Sequence, residues 1–218
     1  MTRPTTTHVL LLTAALMSAT AASAQTSPWT VRLGAAHVGF STQADVQANG
    51  ATVVGGDATA SSNNTLGLEV SYDITPRWTG RLLVGVPPTS TLTGAGTLAS
   101  AGVLGKVTYG PAALTATFNL LDAGPVHLYV GAGLNYTIVF KSRDAFINKL
   151  DVKSAFGSVI ELGADFPLDG GWSIGIDARK IFLKTKADGV LPAFGGATAH
   201  ADVRLDPLVV FASVGRRF

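Results

Sequence analysis

Between Val126 and Lys141 the apolar side chains fall on every second residue: Val126, Leu128, Val130, Ala132, Leu134, Tyr136, Ile138 and Phe140. His127, Tyr129, Gly131, Gly133, Asn135, Thr137, Val139 and Lys141 lie between them. Successive side chains of a strand point to opposite faces, so this pattern predicts a long strand with one apolar face and one small or polar face. A helix would need period 3.6, which is absent. Thr65 to Ile74 repeats the alternation, with Leu66, Leu68, Val70, Tyr72 and Ile74 against Thr65, Gly67, Glu69, Ser71 and Asp73. Segments 29–40, 78–87, 105–120, 155–167, 172–184 and 202–218 carry the same period with more interruptions. The expectation is an all-β chain of eight strands.

The medium that each face meets follows from where the charges fall. Arg32, Glu69, Asp73, Arg81, Glu161, Asp165, Asp177, Arg179 and Arg217 all share the polar face. A soluble eight-stranded barrel would turn that face to water and the apolar face into its core, but the composition points the other way. Only 14% of residues are charged and the mean hydropathy is +0.35, against roughly 25% charged in ordinary soluble domains. After residue 24 no run approaches the ~18 apolar residues of a membrane helix. Lipid tolerates no open sheet edge, so an apolar-out, polar-in chain must close on itself. An even-numbered, eight-stranded antiparallel transmembrane β-barrel is predicted.

The ends and connections orient it. Residues 1–24 read as a cleaved signal peptide: Arg3 is basic, Val9 to Met17 is a short apolar core, and Ala22-Ser23-Ala24 is a small-x-small cleavage pattern. The mature barrel then spans 25–218, and losing Arg3 takes the formal charge from +2 to +1. A near-neutral chain gives no electrostatic case for nucleic acid. There is no cysteine, which excludes a disulfide framework and thiolate chemistry. Thr75-Pro76-Arg77, Asp122 to Pro125 and Pro167 to Gly171 are tight turns, whereas 41–64, 88–104, 142–154 and 185–201 are long connections. Short periplasmic turns and long extracellular loops are the outer-membrane arrangement. Trp29, Trp78 and Trp172 open outward-running strands, and Phe166 and Phe218 close inward-running ones. All five are predicted at the periplasmic interface, where aromatic girdles form.

The sequence resembles the OmpW/AlkL family of small outer-membrane proteins. The likeness rests on Val130-Gly131-Ala132-Gly133-Leu134-Asn135-Tyr136-Thr137, on Trp172 with Asp177-Ala178-Arg179-Lys180-Ile181, on Asp206-Pro207, and on Ser213 to Phe218. Trp29 to Gly34 also resembles the family's opening strand, so the likeness covers essentially the whole mature chain. It departs at Arg216, where such barrels usually place an apolar residue; an arginine so near the end can snorkel to the interface. The resemblance implies a barrel proposed to admit small hydrophobic compounds across the outer membrane. Expected surroundings are outer-membrane lipid and lipopolysaccharide, and expected partners are the barrel-assembly machinery and small hydrophobic solutes.

No catalytic motif accompanies His37, His127 or His200, and neither cofactor nor metal is expected. Arg32, Glu69, Asp73, Arg81, Glu161, Asp165, Asp177 and Arg179 are expected to form a neutralised charge network in the lumen. Eight strands leave an interior just wide enough for side chains or one small ligand. Toward the extracellular side the inward set turns apolar: Leu83, Val139, Val159, Ile181 and Leu183. An apolar funnel above a charged floor suits a hydrophobic solute that must then leave sideways. Pro87, Pro88 and Pro111 lie where the third and fourth strands meet, and each removes a ladder donor, making a candidate lateral seam. Phe218 closes the last strand as a candidate assembly signal. Two functions follow: a passive conduit for small hydrophobic molecules, or a structural and interaction barrel without transport.

Overall fold

The computed structural model describes residues 27–218, so the signal-peptide reading of 1–24 lies outside the described residues. Fourteen strands follow one another: β1 (Trp29–Gly39), β2 (Gln43–Ala48), β3 (Ala51–Thr52), β4 (Gly56–Ala60), β5 (Asn63–Thr75), β6 (Trp78–Gly85) and β7 (Thr89–Gly96). Then come β8 (Val103–Ala123), β9 (Val126–Asp144), β10 (Asn148–Val152), β11 (Ala155–Pro167), β12 (Trp172–Leu191), β13 (Ala197–Arg204) and β14 (Leu208–Arg217). Eight of them close a ring of antiparallel neighbours, β1-β5-β6-β8-β9-β11-β12-β14 and back to β1. The tight turns join β5 to β6, β8 to β9 and β11 to β12, all at one end. At the first, the Thr75 hydroxyl accepts the Arg77 and Trp78 amides at 3.3 and 3.0 Å, fixing the hairpin without a glycine.

The facing follows the sequence pattern. Leu66, Leu114, Leu134, Phe156 and Leu162 are exposed on the outer wall, whereas Glu69, Arg81, Thr117, Glu161 and Arg179 are buried inside. The aromatic girdle is present at the turn end. Trp29 packs on Tyr72 and Trp78 on Phe118, with ring centroids 4.7 and 5.2 Å apart. Arg216, the departure from the family pattern, lays its guanidinium 5.5 Å from the Trp172 ring centre and 5.9 Å from that of Phe218. A cation stacked on girdle rings sits at the interface and not among acyl chains.

Three features mark the other end, the last two of them corrections. First, the long connections hold β2, β3, β4, β7, β10 and β13 and the far ends of β8, β9 and β12, which carry the wall past the membrane band. Second, the segments 78–87 and 202–218 are each interrupted. The former stops at Gly85 before Pro87-Pro88, and the latter breaks at Leu205-Asp206-Pro207, where Asp206 has φ 32°. None of these three prolines can donate to a ladder. Third, Lys141 does not face inward. Thr108 pairs with Lys141 but Tyr109 with Val139, so Phe140 is an extra residue in the ladder. That bulge flips the alternation and turns Phe140 and Lys141 both outward.

The facing yields a paired test. Leu134 is 66% exposed on the outer wall near mid-height, so Leu134→Arg should destabilise the barrel by about 2–4 kcal/mol in urea titrations of protein folded in vesicles. Ser173→Arg, turned into the roomy polar mouth at the turn end, should change stability by less than about 1 kcal/mol. Equal losses would overturn the facing.

Candidate functional site

The lumen is stacked in layers. At the turn end a polar vestibule of about 580 Å³ is lined by Arg32, Ser71, Asp73, His127, Asp165 and Arg217 among others. Above it lies a layer of paired charges. Glu69, on β5, accepts from three arginines: Arg32 of β1 at 2.9 Å, Arg81 of β6 at 3.2 Å, and Arg179 of β12. Asp165 of β11 takes second nitrogens of Arg32 and Arg81 at 2.8 and 3.0 Å. Arg179 continues to Glu161 at 2.9 Å and Asp177 at 3.1 Å. Thr115 donates to Glu161 at 2.5 Å, Ser71 accepts from Arg32 at 2.9 Å, and the Arg81 guanidinium lies 3.8 Å from the Tyr129 ring centre. Seven of the eight residues expected in the network meet here. Glu69, Glu161 and Asp177 bring carboxylate oxygens within 4.8 Å of one another, but Arg179 pairs with all three and occupies the charge position that a cation would take.

Asp73 is the exception. It faces inward as expected, yet pairs at 2.7 Å with Arg217 and accepts from Thr79 at 2.9 Å, down at the vestibule rim. It lies two inward positions below Glu69 on β5, opposite Thr79 and within reach of Arg217.

Above the ions the lumen changes character. Leu83, Val159, Ile181 and Leu183, four of the five expected funnel residues, are buried in one cluster with Ala36, Val38, Ala113, Val209 and Phe211. This layer is packed, not open. The fifth, Val139, lines an apolar chamber of about 80 Å³ immediately above, together with Phe40, Tyr109, Pro111, Ile181 and Leu183. A second apolar chamber of about 90 Å³ lies among the extracellular strands, walled by Val46, Leu104, Phe146, Ile147, Leu150 and Phe194. Leu92, Ala187, Val203 and Leu205 line both chambers. Two of the three histidines singled out by sequence are hydrogen-bonded at the extracellular side: His37 to Asn64 and His200 to Asp188, each at 2.7 Å. That hydrogen bond from His200 holds the Asp188 carboxyl below its usual range. His127 lies in the vestibule wall.

Beside the lower chamber the wall is incomplete. β6 pairs with β8 up to Val84 and Ala112, and β7 resumes the pairing at Thr89 and Thr108. Between them Gly85, Val86, Pro87 and Pro88 face Tyr109, Gly110 and Pro111 with a single bridging bond, Tyr109 N–H to the Pro88 carbonyl at 3.1 Å. Pro111 borders this gap and also lines the chamber.

Sequence reasoning missed Phe211, Val38 and Val209, which complete the packed layer. The inward parity of Val209 and Phe211 follows from the exposed Leu208, Val210 and Val214 that alternate with them. The chamber walls from β7 and β13 were missed because those segments are dense in threonine, alanine and glycine, a weak apolar signal.

A model described as the OmpW family matches residues 26–218. The dibenzothiophene metabolism operon protein PahQ of Pseudomonas aeruginosa is 46% identical over 195 residues, covering 89% of this chain and 90% of PahQ. Outer membrane protein W of Escherichia coli strain K12 is 31% identical over 170 residues, 75% of this chain and 77% of that protein. Among solved structures, the outer membrane protein OprG from Pseudomonas aeruginosa superposes with a TM-score of 0.81 at 26% identity, covering 87% of this chain and 95% of OprG.

The ion layer makes its own prediction. Arg179 is buried and faces three carboxylates, so Arg179→Met should cost about 3–5 kcal/mol by stranding them. Arg217→Gln, at a partly exposed rim pair, should cost at most about 1 kcal/mol. Urea midpoints in lipid vesicles measure both. A mild Arg179→Met would mean that the carboxylates find protons or water instead.

Proposed function

The chain belongs to the OmpW family of outer-membrane barrels, and on that premise we propose that it is a passive conduit for small hydrophobic molecules. Solute enters the upper apolar chamber from outside, passes to the lower one, and leaves sideways through the proline seam into the membrane. The observation that carries this reading is the contact of the lower chamber with the seam through Pro111, directly above a floor that is packed and then charged. A hydrophobic solute held there meets ion pairs below and lipid to the side. Moving it down would desolvate paired charges, whereas moving it outward exchanges one apolar medium for another.

Size sets a condition on the mechanism. A cavity of roughly 150 Å³ takes up benzene, and the chambers are about 80 and 90 Å³. A fused aromatic would therefore span both, across the shared wall of Leu92, Ala187, Val203 and Leu205, and its passage requires the wall to widen at the seam. A relative named for a dibenzothiophene metabolism operon supports planar, apolar heteroaromatics as the solute class. Nothing in the route calls for an energy source or a covalent step, which distinguishes it from an enzyme.

Val159 sits in the packed layer, so a blocking side chain belongs higher, at Ala187 between the chambers. The hydroxyls of Thr89 and Thr108 touch at 2.8 Å across the upper edge of the seam, a separation that suits a disulfide, and the chain has no cysteine to interfere. Cells carrying Thr89→Cys with Thr108→Cys should lose uptake of labelled dibenzothiophene when oxidised and recover it on reduction. Ala187→Trp should block uptake in either state. Uptake through the oxidised staple would remove the lateral route. Uptake through Ala187→Trp as well would leave a structural barrel without transport.

Assembly is read from the other end. Phe218 follows β14, whose Leu208, Val210 and Val214 face lipid, and its amide donates to the Trp29 carbonyl at 3.2 Å. As the signal recognised by the barrel-assembly machinery, its deletion should lower the amount of heat-modifiable, folded protein in the outer membrane; normal insertion would assign it a packing role only.

A further inference from the structure

Above the apolar band, three cations stand together on the outer wall without a counter-charge. Lys106 of β8 lies directly across the ladder from Arg143 of β9, and Thr108 lies across from Lys141. All three basic side chains point away from the lumen, Lys141 because of the Phe140 bulge. Like charges directly opposite on neighbouring strands repel. Yet among the described residues none of the three forms an ion pair, whereas the lumen arginines are all paired. Asp144, the nearest acidic residue in the chain, spends its carboxylate on the amides of Lys149 and Leu150 at 2.8 and 3.0 Å. On the far side of the barrel, Lys186 of β12 instead meets Asp202 and Asp45 in successive ladder positions.

Height identifies the medium. Trp78, Phe118 and Val130 share one girdle row. Lys106 stands twelve residues along the strand from Phe118, and Lys141 eleven from Val130. With about 3.3 Å per residue and a tilt near 40°, both lie roughly 30 Å above the girdle, just past an apolar band ~25 Å tall. Immediately below them Tyr136, Ile138, Phe140 and Phe156 form an exposed apolar shelf, with the Tyr136 and Phe156 rings 4.3 Å apart. A ligand that fits must be anionic at this height and carry acyl chains beneath it.

We propose that Lys106, Lys141 and Arg143 bind the phosphorylated headgroup of a lipopolysaccharide molecule in the outer leaflet, its acyl chains lying on the Tyr136–Phe156 shelf. The three cations supply charge-assisted donors to phosphate oxygens, and the bound headgroup relieves the repulsion between Lys106 and Arg143. The position is also specific within the fold. Thr89 and Thr91 of β7 complete the two basic rows, so the headgroup sits over the outer edge of the proline seam. The proposal does not rest on transport.

The test is native mass spectrometry of the detergent-purified full-length barrel titrated with short-chain lipopolysaccharide. The native sequence should retain one copy, and Lys106→Gln with Lys141→Gln and Arg143→Gln should weaken retention about a hundredfold. Lys184→Gln with Lys186→Gln, at similar height on β12, should retain it normally. Dephosphorylated lipopolysaccharide should bind the native and triply substituted proteins equally weakly, and millimolar inorganic phosphate should not compete. Equal retention by the triple variant would overturn the proposal, as would undiminished binding of the dephosphorylated form. Equally tight binding of phosphatidylglycerol would reassign the site to anionic lipid in general. Heat-modifiability of each variant confirms that the barrel compared is folded.

Discussion

Within lipid every backbone N–H and C=O must find a partner inside the protein, because an unpaired one costs several kcal/mol there. The ring of eight ladders satisfies that demand, and the seam shows how a wall can be weakened without violating it. Pro87, Pro88 and Pro111 have no N–H to strand. The Val86 amide turns back to the Leu66 carbonyl at 2.9 Å and the Tyr109 amide takes Pro88. The gap therefore removes bonds mostly by removing donors. A similar interruption at Asp206-Pro207 is sewn shut: Ile181 donates to the Pro207 carbonyl, Leu183 to the Asp206 carboxylate, and Lys180 to the Asp206 carbonyl. Two proline breaks in one barrel thus differ in kind. Only the one between β6 and β8 leaves a wall with few bonds to lose.

The ion layer answers the same demand for the lumen. An eight-stranded barrel has too little room for a water column and too many inward positions to leave empty. Three arginines against four carboxylates fill it with charges that pair with one another. Such networks are weak evidence for added stability, since well-packed apolar residues often serve as well. Their effect here is on what can cross. Water reaches the charges from the periplasmic vestibule, and the packed Leu83–Val159–Ile181–Phe211 layer meets them from above. Neither a polar nor an apolar solute has a single medium through the axis.

Much of this was legible from residue order. Period two and the shared parity of Glu69, Arg81, Glu161 and Arg179 give strands, facing and the ion layer, because a charge inside a membrane barrel has only the lumen to go to. The girdle followed from three tryptophans at strand starts. What escaped was local or weakly patterned. The Phe140 bulge is a one-residue ladder shift with no composition of its own, and it reversed Lys141. Asp73 has the right parity, but its partners are Thr79 across the ladder and Arg217 at the rim, and parity does not name a partner. The extracellular strands escaped because alanine and glycine at inward positions look like loop.

Those alanines bear on function, because β12 inverts its polarity along its length. Low on the strand, Ile174 and Ile176 face out and Asp177 and Arg179 face in; higher up, Lys184 and Lys186 face out while Leu183 and Ala187 face in. The change marks the passage from lipid to water. A sheet that continues into water needs an apolar interior to be stable, so an apolar upper lumen would arise in any barrel with tall walls. Its emptiness would not. Ala44, Ala58, Ala199 and Ala201 line the upper chamber, Ala60 and Ala155 the lower, and Ala187 both. A wall selected for stability alone would place larger side chains there, since each missing methylene forfeits contacts and leaves a void that lowers stability. Small residues repeated around a closed apolar space keep it open at that cost.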